Sequence, residues 1–358
     1  MLQGLAIAPW AVDRAGAAPA GEHASRRADD HPVAHRKAAA LVQPLLGEQG
    51  CTGIALGVVR AGTVVVAQGY GVRDLQSNAP PDVDTVFWIQ SLSKALTAVG
   101  LLALVGDGRV RLDEPASRHV RALPSRWASI TVRQFMAHQS GIPQLDRKLP
   151  SFEAMTAAAE AIPLAFPPGT REEYNNFNFA VVGKVIEAAA GQGYLAFMRE
   201  RVFAPAGMTK TGLDIVDANH AVSYHASPRG LRPIDREPPE ASYGVPSGHL
   251  QSTLSDLLNL HAALESGQLL KPGPYRQMIT RAVPRFDGTA GWFERRHGAA
   301  SVVSKNGLGS GFQTNFAFVP GEGHAVITLC TSQAKGDREV QRVVDALFTD
   351  VCGVPAGR

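Results

Sequence analysis

The sequence predicts an α+β fold: an antiparallel sheet built from both chain ends, flanked by terminal helices, with a mostly helical lobe inserted between them. Three observations carry this. Two β-type runs, Ile54 to Val59 and Thr63 to Gly69, lie near the start of the chain. Two more, Phe312 to Val319 and Ala325 to Cys330, lie near its end. Between them the apolar spacing fits helices and the punctuation fits loops. A sheet assembled from both ends needs helices on both faces, and a cleft between its lobe and the inserted one is a natural ligand site.

Taken in order, residues 1–36 read as a disordered leader. Leu2 to Val12 is apolar, but no Lys or Arg precedes it and Pro9 interrupts it, and Ala18-Pro19-Ala20 only faintly resembles a cleavage site. Residues 13–35 mix Arg, Asp, His and Ala without a period. One catalytic domain is expected over 37–352. Its α/β lobe covers 37–90 and 290–352, its helical lobe about 91–289, and a tail covers 353–358. Arg36 to Leu46 suits a helix. Arg60-Ala61-Gly62 is a hairpin signal and Asn78-Ala79-Pro80-Pro81 is a loop. Ser91 to Gly106 reads as a long apolar helix stopped by Gly106-Asp107-Gly108. Thr131 to Ala137 is a helical turn before His138, and Phe179 to Ala190 is a helix ended by Gly191. Leu254 to Leu264 is a helix opened by Ser252-Thr253, with Ser255-Asp256 supplying capping and favourable charge. Pro320-Gly321-Glu322-Gly323 is a second hairpin, and Glu339 to Phe348 a closing helix.

Composition excludes several classes. With 45% hydrophobic and 19% charged residues over 358 positions, the chain is neither disordered nor a coiled coil. Lys plus Arg number 35 against 32 Asp plus Glu, and a net charge of +3 makes no field for nucleic acid. The longest apolar run, Leu96 to Val105, is too short for a stable membrane span. The 3 cysteines, Cys51, Cys330 and Cys352, exclude a disulfide-dense scaffold, leave at least one thiol free and lack zinc spacing. No metal and no cofactor is expected. The compartment leans slightly to the cytoplasm over the periplasm or the exterior, and oligomeric state stays open.

Three clusters can do chemistry. In Ser91-Leu92-Ser93-Lys94, Ser91 and Lys94 share one face of a helix start. A lysine kept neutral by burial can take the serine proton, and the helix N-terminus favours the charge that develops. In Tyr174-Asn175-Asn176, a tyrosine whose pKa is depressed by cations can act as base, and Asn176 can bond a substrate carbonyl. Lys305-Asn306-Gly307 lies at the start of a predicted strand, where Gly307 permits a substrate to approach its edge. The N–H of Leu308 can pair with that of Ser91 as an oxyanion hole. Each cluster has a blander reading on its own: a capping serine with a surface lysine, a packed tyrosine in an Asn-Asn turn, a glycine-rich hairpin.

Together, Ser-x-x-Lys, Tyr-x-Asn and Lys-x-Gly, in that order, resemble the serine β-lactamase and penicillin-binding-protein superfamily. The likeness is strongest to its class C branch, which includes DD-peptidases, D-aminopeptidases and β-lactamase-fold esterases. Phe87-Trp88-Ile89-Gln90, the run from Gly106 to Asp113, the run from Ile130 to Gly141, Pro167-Pro168-Gly169 and the run from Phe203 to Met208 are similar too. The resemblance covers roughly residues 37–352 and implies a β-lactamase/transpeptidase-like fold. It implies Ser91 as the acylated nucleophile, with Lys94 and Tyr174 sharing the base work. Asn176 would orient substrate. Lys305 would lower the pKa of Tyr174 and attract a substrate carboxylate. His138 and Ser140-Gly141 would support the fold.

The sequence departs from the pattern at Asn306 and Leu308, where the class C enzymes carry hydroxyl residues. That weakens the anchor for a β-lactam carboxylate. The expected function is a serine hydrolase forming an acyl-enzyme with an ester, amide or peptide substrate, as a short-chain carboxylesterase or a D-amino-acid peptidase or amidase. The alternatives are a β-lactamase, an acyltransferase using the same site, and a penicillin-binding or sensor module without turnover.

Overall fold

The computed structural model describes residues 31–47, 50–145, 149–227, 230–234, 242–332 and 338–356. The chain opens with helix α1 (Pro32–Val42), then strands β1 (Cys51–Arg60), β2 (Thr63–Gly71) and β3 (Phe87–Trp88). Helices α2 (Ser93–Gly106), α3 (Val132–Met136), α4 (Phe152–Glu160), α5 (Asn176–Ala190) and α6 (Tyr194–Met198) follow. Then come β4 (Tyr224–Ser227), β5 (Gly230–Pro233), α7 (Val245–Gly248), β6 (Gln251–Ser252), α8 (Leu254–Glu265) and α9 (Pro272–Ile279). The chain returns to sheet with β7 (Phe293–His297), β8 (Ala300–Gly309), β9 (Phe312–Val319) and β10 (His324–Ser332), and α10 (Arg338–Leu347) follows.

The main sheet has six strands in the order β2-β1-β10-β9-β8-β7, and all five pairings are antiparallel. Strand β1 pairs with β2 on one side and β10 on the other, so the two ends of the domain meet in mid-sheet. Period-2 alternation then sorts the side chains. Phe312, Phe316 and Phe318 of β9 face the core built on the inserted helices. Ala317 and Val319 face the second core, under α1 and α10. The hairpin from β1 to β2 turns on Ala61 (φ 47°) and Gly62 (φ 77°), the two left-handed residues of a turn matched to strand twist.

Helix α2 is buried from Ser93 to Leu104, so it is apolar all round and runs through the helical core rather than over it. Helix α8 starts where expected, but its cap is Thr253, whose Oγ1 accepts from the N–H of Asp256. The Asp256 carboxylate instead accepts from the N–H groups of Thr209 and Lys210 and the hydroxyl of Thr211. It ties a loop down rather than capping a dipole.

Four expectations change. The sequence suggests a leader up to residue 36, but Pro32–Val42 is helix, with proline in its first turn where no N–H is missed; residues 1–30, with the cleavage-site signal, lie outside the described residues. Val354, assigned to the tail, is buried, and its N–H donates to the Phe348 carbonyl. Lys305 lies in the second half of β8, not at a strand start. Strand β7 was not foreseen, because Phe-Glu-Arg-Arg-His lacks hydrophobic alternation.

Cys51 and Cys330, whose pairing the sequence leaves open, form a disulfide between β1 and β10, with Cα atoms 5.9 Å apart. Cys352 is free and buried, and burial pushes its thiol up to about 12, which makes it a poor nucleophile. Among the described residues no helix is long and apolar enough to cross a membrane.

Candidate active site

Ser91 sits in the single 3₁₀ turn Gln90–Leu92 that leads into α2. The turn is held from three sides. The Ile89 N–H donates to the Leu250 carbonyl, the Thr314 hydroxyl of β9 donates to the Ile89 carbonyl, and the Ser93 hydroxyl donates to the Gln90 carbonyl. Gln90 takes φ 50°, a sparsely populated conformation for a non-glycine residue, which these bonds impose next to Ser91. Ser93 is fully buried and also accepts from the Leu250 N–H, so its hydroxyl is committed to structure. Ser91 is the serine of this motif left with surface to present.

Lys94 lies one helical turn from Ser91 and is wholly buried. Its Nζ is 3.1 Å from Ser91 Oγ and donates to Asn176 Oδ1 at 2.8 Å and to the carbonyl of Ser247. Burial first, and the charge of Lys305 second, hold its pKa well below the usual lysine value. The two acceptors matter for the neutral amine. An amide oxygen and a carbonyl can only accept, so they take its two hydrogens and leave the lone pair facing Ser91. Ser247 contributes only its main-chain carbonyl, and no side-chain signal could have marked it.

Tyr174 Oη is 2.5 Å from Ser91 Oγ. Two amines approach its ring: Lys94 Nζ is 4.8 Å from the centroid and Lys305 Nζ 5.0 Å. The expectation that Lys305 depresses the Tyr174 pKa is corrected. Burial pushes the phenol up to about 12, with the Ser91 bond opposing. The residue exposes 45% of its surface, yet its hydroxyl is turned inward. The amines meet the ring face rather than the oxygen, where they would stabilise a phenolate.

Lys305 is also buried, at 2% exposure, and burial lowers it to about 7 while the Glu172 carboxylate opposes. Its Nζ lies 4.5 Å from the centroid of Phe293. Glu172 accepts from the Gly288 N–H at 3.0 Å, and Gly288 bridges to Phe293. Sequence reasoning missed Glu172, Phe293 and Gly288; the first has a visible signal, a carboxylate two residues before Tyr174.

Asn306, Gly307 and Leu308 fall on β8. Strand β7 pairs with β8 only as far as Ser304, so Lys305 to Gly309 have β9 on one side and the Ser91 turn on the other. Gly307 is needed for that contact: a Cβ there would lie 2.3 Å from the Ile89 carbonyl oxygen and 2.6 Å from Thr314 Oγ1. Asn306 pairs across from Asn315 and Leu308 from Gln313. By alternation both point to the face opposite Lys305, where Asn315 reaches Gln341 of α10. Leu308 is 49% exposed. Asn176 is exposed at the mouth of the site, with its Oδ1 given to Lys94.

This fold and this Ser/Lys/Tyr cluster define the class. The chain belongs to the Beta-lactamase family, whose model matches residues 38–349. It is similar to Protein flp of Staphylococcus aureus (strain COL), 23% identical over 323 residues, covering 84% of this chain and 63% of the relative. The chain thus spans under two thirds of the length of the curated relatives it matches. Among solved structures it is similar to the octameric penicillin-binding protein homologue from Pyrococcus abyssi, with TM-score 0.78 and 23% identity over 89% of this chain and 77% of that one. It is also similar to the D-amino acid amidase from Ochrobactrum anthropi SV3, with TM-score 0.77 and 22% identity over 90% of this chain and 99% of that one.

Proposed function

We propose that the protein is a serine hydrolase that cleaves esters or amides through an acyl-enzyme on Ser91. The observation that carries this is the set of three partners around Lys94 Nζ. The neutral amine takes the Ser91 proton as Ser91 Oγ attacks the substrate carbonyl carbon. The carbonyl π-bond opens to an oxyanion, received by the N–H groups of Ser91 and Leu308. Tyr174, still a phenol, lends its proton to the leaving oxygen or nitrogen as that bond breaks, which leaves a phenolate and a protonated Lys94. In the second half, water gives a proton to the phenolate as it attacks the acyl carbon, and Lys94 returns its own to Ser91 Oγ, 3.1 Å away, as the ester bond breaks.

Neutral esters and amides fit this site better than β-lactams. Lys305 is buried, and Asn306 and Leu308 lie on the other face of β8, which leaves little to anchor a carboxylate. The D-amino acid amidase neighbour supports testing amides of D-amino acids beside simple esters.

The test measures p-nitrophenyl butyrate, D-phenylalanine amide and nitrocefin turnover, with intact mass after a fluorophosphonate. One adduct on the Ser91 peptide, loss of turnover in Ser91→Ala and butyrate turned over at least about 10-fold faster than nitrocefin are expected. An adduct on Ser93, or turnover surviving in Ser91→Ala, overturns the assignment. Nitrocefin matching the ester makes the protein a β-lactamase.

A further inference from the structure

His138 is bonded to both sides of Tyr174. The Glu173 N–H donates to the His138 carbonyl at 2.9 Å, and the Asn175 N–H donates to His138 Nδ1 at 3.2 Å. The tyrosine is therefore bracketed by two main-chain bonds that end on one residue. The rings also touch, with centroids 4.6 Å apart at an interplanar angle of 37°.

The chemistry of these bonds fixes the state of the imidazole. A main-chain N–H can only donate, so Nδ1 carries no proton, and the neutral ring holds its hydrogen on Nε2. A second donor agrees: Asn178 Nδ2 lies 3.0 Å from Nδ1, and its Oδ1 accepts from the Ser140 hydroxyl at 2.6 Å. The runs around His138 and around Tyr174 thus interlock through His138, Ser140, Asn175 and Asn178. Burial, then the charges of Lys305 and Lys94, keep the imidazole well below its usual range, so it stays an acceptor. His138 itself adopts φ 55°.

We propose that His138 is a positioning residue, an Nδ1 acceptor that sets the place of Tyr174 Oη over Ser91 Oγ. The inference rests on the hydrolase reading above. His138 touches neither Ser91 nor the reacting bond; it acts through the 173–175 backbone and the tyrosine ring.

Two substitutions separate this role from simple packing. In His138→Asn, Oδ1 stands near the place of Nδ1, and asparagine tolerates a positive φ. In His138→Phe the ring stays and the acceptor is lost. The measurements are kcat and KM for p-nitrophenyl butyrate, melting temperature, and Ser91 labelling by a fluorophosphonate, each repeated in the Tyr174→Phe background. His138→Asn is expected to keep kcat within about threefold. His138→Phe is expected to lower kcat on the order of 100-fold with KM nearly unchanged, and to cost less than about threefold once Tyr174 is phenylalanine. Should His138→Phe fail to fold, His138→Gln, whose amide reaches only toward the place of Nε2, is expected to behave as its substitute in kcat. An equal loss on both backgrounds, or loss of kcat in His138→Asn together with its melting temperature, overturns the proposal. Absence of any Ser91 adduct on the wild-type protein overturns the hydrolase reading instead.

Discussion

Two buried amines share one small site, and their charges compete. Lys94 must be neutral to accept a proton, and the Lys305 charge is the second cause of its lowered pKa after burial. The sign follows. Replacing Lys305 by methionine removes a cation that favours neutral Lys94, so Lys94 holds its proton to higher pH. The acid limb of kcat/KM is expected to move upward in Lys305→Met, with the largest loss of rate below neutrality. A pH–rate profile with that limb unmoved or moved downward would contradict the coupling. At this scale the sequence singled out Ser91, Lys94 and Tyr174, whose side chains do meet in the structure. It was silent on the Ser247 carbonyl, and it misjudged the phenol, because a cation's effect depends on whether it meets the ring face or the oxygen. Counting positive residues nearby cannot tell these apart.

Elements place these groups by packing strands against turns. Strand β8 reaches the Ser91 turn because Gly307 has no side chain to hold them apart. In Gly307→Ala, a Cβ against the Ile89 carbonyl oxygen must push β8 and the Ser91 turn away from each other. Overpacking of this kind costs about 1–3 kcal/mol. Urea unfolding should show that loss, and labelling of Ser91 should slow at least about 10-fold, since the Ser91 and Leu308 N–H groups proposed to receive the oxyanion separate. Unchanged labelling with unchanged stability would mean that the turn and strand have slack. Strands with apolar alternation, such as β9, were readable from the sequence, as was α2 from its length. Strand β7 was not. Its outward residues pair with other charges, as Arg295 does with Asp345, so its burial comes from partners rather than from its own composition. The face on which Asn306 and Leu308 lie was likewise invisible until the register with β9 was known.

For the whole molecule, the sheet is closed by β1 beside β10, and the Cys51–Cys330 disulfide crosses that seam with a sequence separation of 279. A crosslink over so long a loop restricts the unfolded chain strongly, by roughly 5 kcal/mol on the chain-entropy account. Reduction, or the paired change Cys51→Ala and Cys330→Ala, should lower the urea midpoint accordingly. An unchanged midpoint would show that the bond forms without constraining the fold. The free Cys352, buried and weakly acidic, should stay unmodified by thiol reagents until the protein unfolds.

The seam between β1 and β10 also has a consequence in time. On the ribosome, strand β1 and its hairpin partner emerge early, but the neighbour that completes the sheet is encoded almost at the far end of the domain. At roughly 5–20 residues per second, the intervening chain takes on the order of tens of seconds to make. Through that interval one edge of β1, apolar on both faces, has no strand to pair with, and an unpaired edge is open to other chains. The Ser91 turn is in the same position, since the Thr314 bond to Ile89 forms only when β9 arrives. A chain stalled before its last three strands would carry Ser91, Lys94 and Tyr174 but lack Lys305, the Leu308 N–H and the Thr314 bond that fixes the turn.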